Sequence, residues 1–376
     1  MPRFLKLVLI VTFTAVVILL AAWLVWRSWP VYPEQRMAEA RAAISQARNV
    51  KAGLYAPSAF GKAEACYDSA VSHLAMQKQE WFLSRDYAIA DSFAMISISE
   101  ANRAADNALV NRKHINASTS KRMEVIQSRY QHLDWLIGWL PLSWITVKQF
   151  TGGKISLSKA AVSNENGNLP LVNDLLDDAL KKVQIVEKHV NEVLNGYFKD
   201  YPGWVTSQKE AIAWTRHNES IALLVDKFER KCHVIQNGKM IRSFDIELGK
   251  NWIGDKTRKG DKSTPEGQYK VVQKKKNKET KYHKALLLDY PNEDDKRRFE
   301  ELKSSGHIPS DAQIGGLIEI HGAGGRGIDW TDGCIALSNS DMDQLYNMVK
   351  TYTPVIIVGS IKPLEEILSQ HEKDVR

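Results

Sequence analysis

Hydrophobic and polar positions change their spacing twice along the 376-residue chain. Residues 7–26 form one unbroken apolar run. Apolar positions then recur every three or four residues to about residue 220, as is typical of amphipathic helices. From residue 221 they fall in short β-type runs separated by glycine and proline. The pattern predicts an α+β chain with an N-terminal membrane anchor, an all-α helical-hairpin region and a mainly β domain.

The first apolar run, Leu7–Trp26, contains no charged residue. Its length corresponds to roughly 30 Å of helix, which matches one bilayer core. Arg3 and Lys6 precede it and favour a cytoplasmic N-terminus, whereas Arg27 just beyond it argues weakly against that orientation. A cleaved signal peptide is the alternative, but the bulky Trp-Leu-Val-Trp end favours an uncleaved anchor. We therefore expect a single-pass protein of the cell inner membrane with its remaining domains in the periplasm.

The helical region is rich in alanine and other helix formers. We expect helices at Met37–Val50, Ala59–Gln77, Asp86–Asn111, Leu171–Asn195 and Trp204–Ser220. The third helix carries a stripe of alanines at three- and four-residue spacing, which predicts close helix packing. The region resembles the helical-hairpin or tetratricopeptide-like modules of envelope proteins, and this resemblance implies an envelope protein as a partner.

Three stretches interrupt this helical pattern. Gly152-Gly153 and Asn164–Asn168 are expected to form loops, because paired glycines and Asn-Gly sequences favour turns. Leu133–Leu142 is apolar but only about ten residues long, which is too short to span a membrane. We therefore interpret Leu133–Leu142 as a buried turn or an interfacial patch.

The β-type runs predict a domain from about residue 221 to residue 360. The expected strands are Ile221–Asp226, Lys231–Gln236, Met240–Leu248, Gln268–Gln273, Leu286–Asp289, Leu317–His321 and Val355–Val358. Asn237-Gly238 is a strong hairpin signal between two of them. A helix is expected at Asn339–Thr351, with Ser338 or Asn339 as its N-cap, and a surface helix at Lys362–His371.

These elements give four predicted segments. Residues 1–30 form the cytoplasmic tip and anchor, and residues 31–220 form the α-helical periplasmic region. Residues 221–360 form the catalytic domain argued below, and residues 361–376 form a C-terminal tail helix.

Composition excludes several classes of function. The net charge is +7, but the 44 acidic residues are well mixed with the bases, which favours a mildly basic solvated surface over a polyanion site. The sequence carries no RNA-binding signature, zinc-finger spacing or P-loop, so no nucleic-acid partner is expected. The three cysteines, Cys66, Cys232 and Cys334, are too far apart for a metal knuckle or a redox pair. We expect neither a metal nor another cofactor.

Candidate chemistry lies between His321 and Leu337. Cys334 follows Gly333, which allows a tight turn whose backbone N–H groups at Gly333 and Cys334 can form an oxyanion hole. A thiol needs a base, and His321 at the end of an apolar run is the obvious candidate. Each residue alone is more often structural, but the pair around a glycine-rich loop favours catalysis.

These residues resemble the YkuD-type L,D-transpeptidases. The family carries His-Gly at a strand end, a glycine-rich loop and Ser/Thr-x-Gly-Cys before apolar residues, as in His321-Gly322 and Thr331–Ile335. Thr264–Tyr269 (TPEGQY) matches an upstream signature, and Ser338–Met342 continues into a helix in the same way. The resemblance covers roughly residues 221–360 and leaves out the helical region and the anchor.

The resemblance implies an acyl transfer on peptidoglycan stem peptides. The Cys334 thiolate attacks the carbonyl between the L-centre of diaminopimelate and the terminal D-Ala, His321 acts as general acid and base, and an amine accepts the acyl group. An L,D-carboxypeptidase, or a hydrolase that releases a protein or peptide from peptidoglycan, is the alternative. A second alternative is a non-catalytic envelope scaffold that binds the cell wall.

The expected substrate-binding residues are Gly322, Arg326, Thr331 and Asp332. Two positions depart from the family pattern, since many members have histidine at Asp332 and arginine at Ala336. Asp332 would oppose thiolate formation unless it points to solvent, and Arg326 is expected to replace the missing positive charge. The seven lysines of Lys270–Lys284 either steer acidic substrate or, as we favour, form a solvated hairpin tip. Tyr282 and Tyr290 are candidates for lining the groove.

Overall fold

The computed structural model describes residues 3–27 and 29–374. The chain divides into two compact units, Met1–Arg122 and Met123–Arg376. This division falls inside the segment 31–220 that the sequence pattern presents as one helical region. The sequence-based segment boundaries stay a prediction.

The first unit is helical. Its helices are α1 (Arg3–Arg27), α2 (Glu34–Asn49), α3 (Ala52–Tyr55), α4 (Pro57–Gln79) and the first part of α5 (Ala88–Trp139). Helix α1 contains a 21-residue stretch, Leu7–Arg27, that is long and apolar enough to cross a membrane and is not buried against the protein. A signal sequence has the same length and composition. Alanines of α2, α4 and α5 are buried against each other, which confirms the close packing predicted from the alanine stripe.

The second unit contains the end of α5 and the remaining helices. These are α6 (Trp144–Glu165), α7 (Leu169–Tyr197), α8 (Tyr201–His217), α9 (Glu293–Ser304), α10 (Asn339–Met348) and α11 (Leu364–Asp374). Helix α5 runs 28 residues beyond the predicted end at Asn111, because Ile126, Tyr130, Leu133 and Leu136 continue a buried helical stripe. Most of the apolar stretch Leu133–Leu142 is thus the end of α5, with a turn after Trp139.

The predicted loop at Gly152-Gly153 is wrong. Both glycines lie inside α6. A Cβ atom at Gly153 would stand 1.6 Å from the Tyr130 hydroxyl, and that hydroxyl donates to the carbonyl of Ala179 at 2.8 Å. The glycine is therefore required by close packing within this unit and does not break the helix.

The β domain is one eight-stranded mixed sheet in the order β3-β2-β1-β8-β4-β5-β6-β7. Its strands are β1 (Ile221–Asp226), β2 (Lys231–Gln236), β3 (Lys239–Asp245), β4 (Gly267–Lys276), β5 (Lys284–Leu288), β6 (Glu319–His321), β7 (Ile335–Ala336) and β8 (Pro354–Val358). The β1–β8 and β6–β7 pairs are parallel and the other pairs are antiparallel. Buried side chains of the sheet share one hydrophobic core with α6–α8.

The sheet curls until its two ends meet. A β-bulge between Val271 and Gln273 in β4 marks the bend. The chain just after β3 then pairs with β7, since the backbones of Glu247 and Ala336 exchange two 2.8 Å hydrogen bonds. This closure brings the end of β3 beside the segment that carries Cys334.

Several predicted elements agree closely with the structure. The hairpin turn at Asn237-Gly238 is confirmed, with positive φ at both residues. Ser338 is the N-cap of α10, since its hydroxyl accepts from the Asp341 N–H at 3.1 Å. Helix α9 and the short strand β7 were not predicted, because both are short and neither shows a distinct apolar period.

Candidate active site

The β6–β7 pair places the segments that carry His321 and Cys334 side by side. His321 lies opposite Ala336 in the parallel register, and side chains alternate between faces along a strand. Cys334 directly precedes β7, and its Sγ lies beside the backbone of Leu317 and Glu319 at the start of β6. The sheet register brings together the two residues that the sequence separates by thirteen positions.

The turn before Cys334 is held by Thr331. The Thr331 hydroxyl donates to the carbonyl of Cys334 at 2.7 Å and accepts from the N–H of Gly333 at 3.2 Å. Gly333 has φ +130°, and a Cβ atom there would lie 2.6 Å from the carbonyl oxygen of Ser263. Only glycine fits this position without strain.

The His321 ring is fixed in one orientation. It is fully buried, and Nδ1 lies 2.6 Å from the carbonyl oxygen of Gly322. A carbonyl only accepts, so Nδ1 carries the proton and Nε2 carries a lone pair. Within residues 3–27 and 29–374, Nε2 has no hydrogen-bond partner. Histidine is thus held in the tautomer that a general base requires.

Aromatic rings enclose this histidine. Tyr282, from the β4–β5 connection, stacks on His321 with ring centroids 3.5 Å apart and an interplanar angle of 6°. Trp330 meets the same ring edge-on at 5.9 Å. The expectation that Tyr282 lines the groove agrees with this contact, whereas Tyr290 is buried against Tyr269.

Burial favours the uncharged forms of His321 and Cys334. Desolvation lowers the pKa of His321 from its usual 6.5, although the hydrogen bond to Gly322 opposes the shift. Desolvation raises the pKa of the Cys334 thiol above 9.0, opposed by a backbone hydrogen bond from Glu319. The thiol donates to the carbonyl of Leu317, with Sγ 3.6 Å from that oxygen. The resting site therefore holds a thiol and a neutral imidazole.

Glu247 organises the glycine-rich loop between His321 and Cys334. Its buried carboxylate accepts from the N–H groups of Arg326 and Gly327 and from the indole Nε1 of Trp330, the last two at 2.7 Å. The sequence did not single out Glu247 or Trp330. Their roles depend on the curl of the sheet, which leaves no local signal in the sequence.

The other predicted site residues lie in the segment between His321 and Cys334. The Gly322 carbonyl orients His321, and a Cβ atom at Gly322 would lie 2.6 Å from Asn339 Oδ1. Arg326 and Asp332 are exposed, and the guanidinium of Arg326 lies 3.7 Å from the centroid of Trp330. Thr331 is buried beneath the turn. Gly322 and Thr331 thus position His321 and the turn before Cys334, whereas Arg326 and Asp332 expose their side chains to solvent.

The lysine-rich β4–β5 hairpin is partly used for structure. Lys274 donates to two carbonyls at the end of α10, both at 2.6 Å. Lys275 pairs with Glu319 at 2.8 Å beside the reacting groups, and Lys284 pairs with Asp343. Lys276, Lys278 and Lys281 are exposed at the tip, and Lys270 is exposed nearer the start of the hairpin.

Comparison with known proteins identifies the β domain. Residues 220–357 match the family model described as "YkuD: L,D-transpeptidase catalytic domain". This segment is a YkuD domain. No curated protein sequence matches the chain.

Solved structures that resemble part of the chain are also L,D-transpeptidases. They include a protein from Xylanimonas cellulosilytica (TM-score 0.27, 15% identity, 37% of this chain and 61% of that chain). Another is an Enterococcus faecium L,D-transpeptidase mutant (TM-score 0.26, 18% identity, 37% of this chain and 50% of that chain). A third is a Mycobacterium smegmatis L,D-transpeptidase (TM-score 0.23, 18% identity, 37% of this chain and 58% of that chain). The chain thus spans 50% to 61% of the length of these three structures. The YkuD domain covers residues 220–357, and the helices before it lie outside the family match.

Proposed function

We propose that this chain is an L,D-transpeptidase in which Cys334 is the nucleophile and His321 is the general acid and base. The observation that carries the proposal is the buried, unpartnered Nε2 of His321, on the strand that pairs with the one directly after Cys334. Leaving a polar atom buried without a partner is costly, so such an atom suggests a functional role. The YkuD family match supports the same chemistry.

In the first half-reaction, the Cys334 thiol leaves the Leu317 carbonyl and gives its proton to His321 Nε2 as sulfur attacks the substrate carbonyl. That carbonyl joins diaminopimelate to the terminal D-Ala of a stem tetrapeptide. The C–N bond breaks when Nε2–H protonates the leaving D-Ala amine, and a thioester to Cys334 remains. In the second half-reaction an amine of another stem attacks the thioester, its proton passes to Nε2, and the thiol re-forms.

Backbone N–H groups of the turn would stabilise the oxyanion. In the described part of the chain, the Cys334 N–H has no acceptor and is free for this role. The Gly333 N–H donates to Thr331 at rest, so its participation requires that bond to open. Gly322, Arg326, Thr331 and Asp332 remain the proposed substrate-binding set, with Arg326 and Lys281 as the exposed cations for the carboxylates of the stem.

Location is part of the proposal. Helix α1 acts as a single-pass anchor in the inner membrane, with the YkuD domain in the periplasm, where its peptidoglycan substrate lies. The apolar composition of Leu7–Arg27 supports this placement. An envelope protein is the proposed partner of the helical region.

The test is incubation of the purified full chain with a disaccharide-tetrapeptide, followed by mass spectrometry of the products. A cross-linked dimer with loss of D-Ala supports transpeptidation. Disaccharide-tripeptide alone would instead support the hydrolase alternative, in which water accepts the acyl group.

Matched cysteine variants serve as controls. Cys334→Ser is expected to lose all product, whereas Cys66→Ser, another partly exposed cysteine, is expected to behave as wild type. If folded wild-type protein gives neither product, the scaffold alternative replaces the enzyme proposal. His321→Ala with retained turnover would refute the role assigned to that residue.

A further inference from the structure

A cluster of exposed aromatic and aliphatic side chains lies where the chain leaves α1. Three of its members, Trp29, Val31 and Tyr32, follow the helix directly. The other three, Trp81, Phe82 and Leu83, belong to the connection between α4 and α5. All lie in the first compact unit. We refer to these six residues as the aromatic collar.

Ring contacts join the chain after α1 to the connection between α4 and α5. The rings of Trp29 and Phe82 meet edge-on with centroids 4.7 Å apart, and those of Tyr32 and Tyr87 meet at 5.4 Å. The fold thus carries residues more than fifty positions away in sequence back to the end of the apolar helix. Trp81 nevertheless stays 70% exposed and Trp29 53% exposed.

The connection that presents Trp81 is a built turn. Arg85 donates to the carbonyls of Lys78 and Glu80 at 3.1 Å each. Ser84 donates through both its backbone N–H and its hydroxyl to the carbonyl of Trp81. These bonds fix the Trp81 backbone while leaving its indole outside the protein, so the exposure is a property of the fold.

The position of the collar matches the depth of a bilayer interface. If α1 spans the hydrocarbon core, the two headgroup layers outside that core are each roughly 5–8 Å thick. Trp29 lies two residues after Arg27, where α1 ends, and its ring contacts that of Phe82. Indole and phenol rings concentrate at this depth because one end is apolar and the other is polar. Lys78 and Arg85 lie about 6 Å from the Tyr32 and Phe82 ring centroids, respectively, and can extend their charges to lipid headgroups.

We infer that the aromatic collar is a second membrane contact, in which Trp81 inserts into the headgroup layer on the side where the chain leaves the bilayer. The inference rests on the proposed anchor. Contact at both α1 and the Trp81 turn restricts the tilt of the first unit against the membrane, which a single helix followed by a free linker would not do.

The experiment uses the full chain in nanodiscs of phosphatidylglycerol and phosphatidylcholine. The phosphatidylcholine is unbrominated, brominated on the acyl carbons nearest the glycerol, or brominated near the methyl ends. The emission of wild type minus that of Trp81→Phe reports Trp81 alone. We expect shallow bromines to reduce this difference by about twofold or more, and deep bromines to reduce it less, as for an indole at the interface.

Two further variants separate the possible outcomes. The difference in emission between wild type and Trp26→Phe reports on α1. If bromine quenches this difference but not the Trp81 difference, α1 is in the membrane and the inference about the aromatic collar is overturned. Val110→Trp in the Trp81→Phe background places an indole at a 56% exposed position of the same unit. Equal quenching at that position would indicate general adsorption and overturn the inference. A Trp81 that is shielded from acrylamide but not quenched by bromine would indicate a protein partner or a second copy, and would also overturn it.

Discussion

At the residue scale, burial shifts the pKa of His321 and that of Cys334 in opposite directions. The histidine pKa moves below 6.5 and the thiol pKa moves above 9.0. Both shifts favour the uncharged forms across neutral pH. In the proposed mechanism, the thiolate therefore forms only as its proton passes to Nε2, and no stable ion pair stores it beforehand.

This state predicts two pH profiles. Alkylation by iodoacetamide, read by intact mass in a Cys66→Ser background, is expected to keep accelerating above pH 9.0, because only the thiolate reacts. Acylation by substrate is expected to decline only below pH 6.5, where protonated His321 can no longer accept the proton. An alkylation rate already level at neutral pH would indicate a resting ion pair and contradict this description.

The stacking of Tyr282 on His321 predicts a second effect, on the histidine pKa and on the rate of acylation. Tyr282→Ala opens His321 to water, so the histidine pKa rises toward 6.5 and the acid limb of acylation moves to higher pH. Loss of the fixed ring should also slow acylation by about ten- to a hundredfold. Tyr282→Phe keeps the stacking ring and should retain both the rate and the profile. If Tyr282→Ala slows the reaction without moving the acid limb, the ring has no effect on the histidine pKa.

The site was partly predictable from sequence. Motif residues such as His321, Gly333 and Cys334 are recognisable because a tight turn and a strand end restrict the residue types allowed there. The stacking of Tyr282 and the loop contacts of Glu247 were not predictable from sequence, because each depends on strand register and sheet curl between distant segments. The buried Thr331 hydroxyl donates to the Cys334 carbonyl, so this predicted substrate-binding residue also fixes the turn.

At the element scale, the loop between β6 and β7 depends on one carboxylate supplied from beyond β3. Three donors converge on Glu247, from Arg326, Gly327 and Trp330. A loop with several glycines has high conformational entropy when free. The carboxylate thus keeps the loop between His321 and Cys334 ordered.

Glu247→Gln tests this element. The substitution replaces one carboxylate oxygen, which accepts hydrogen bonds, by an amide NH2 group that faces other N–H donors. We expect this to destabilise the ordered loop by about 1–3 kcal/mol. Amide hydrogen exchange in residues 322–330 should rise by about ten- to a hundredfold. Asp245→Asn, which alters an exposed carboxylate two residues earlier, is the matched control. Unchanged exchange in Glu247→Gln would exclude Glu247 as the organiser.

Secondary structure followed the sequence where periodicity was long and uninterrupted. Strands β1 and β2 have the predicted bounds, and α7 differs by two residues at each end. The glycine pair Gly152-Gly153 was wrongly predicted to form a loop. Glycine is required at position 153 because the Tyr130 hydroxyl approaches it closely from another helix. Close packing and turn formation both require glycine, and a single sequence does not distinguish them.

At the scale of the whole molecule, a buried ion pair joins helices α7 and α8 to the YkuD domain. Lys227 is fully buried and donates to Glu266 at 2.7 Å and to the carbonyls of Gly254 and Thr264. Glu266 also accepts from Tyr197 of α7 at 2.8 Å and Trp204 of α8 at 3.0 Å. The TPEGQY signature therefore has a structural role in docking these helices onto the sheet.

Lys227→Met should destabilise the second unit by about 3–5 kcal/mol, because it leaves the Glu266 carboxylate buried without its cation. Urea denaturation of the solubilised full chain measures the change. Lys231→Met removes a lysine whose partner Asp245 is exposed and should cost no more than about 1 kcal/mol. Similar losses for the two variants would mean that the buried pair does not hold the helices in place.

The most direct test of the central claim is covalent trapping of Cys334. The full chain is incubated with a carbapenem, a β-lactam that acylates nucleophilic side chains, and its intact mass is measured before peptide mapping. We expect one adduct per chain, located on Cys334, absent in Cys334→Ser and present in Cys66→Ser. A folded wild-type chain without an adduct, or an adduct that persists in Cys334→Ser, would contradict the assignment of Cys334 as the nucleophile.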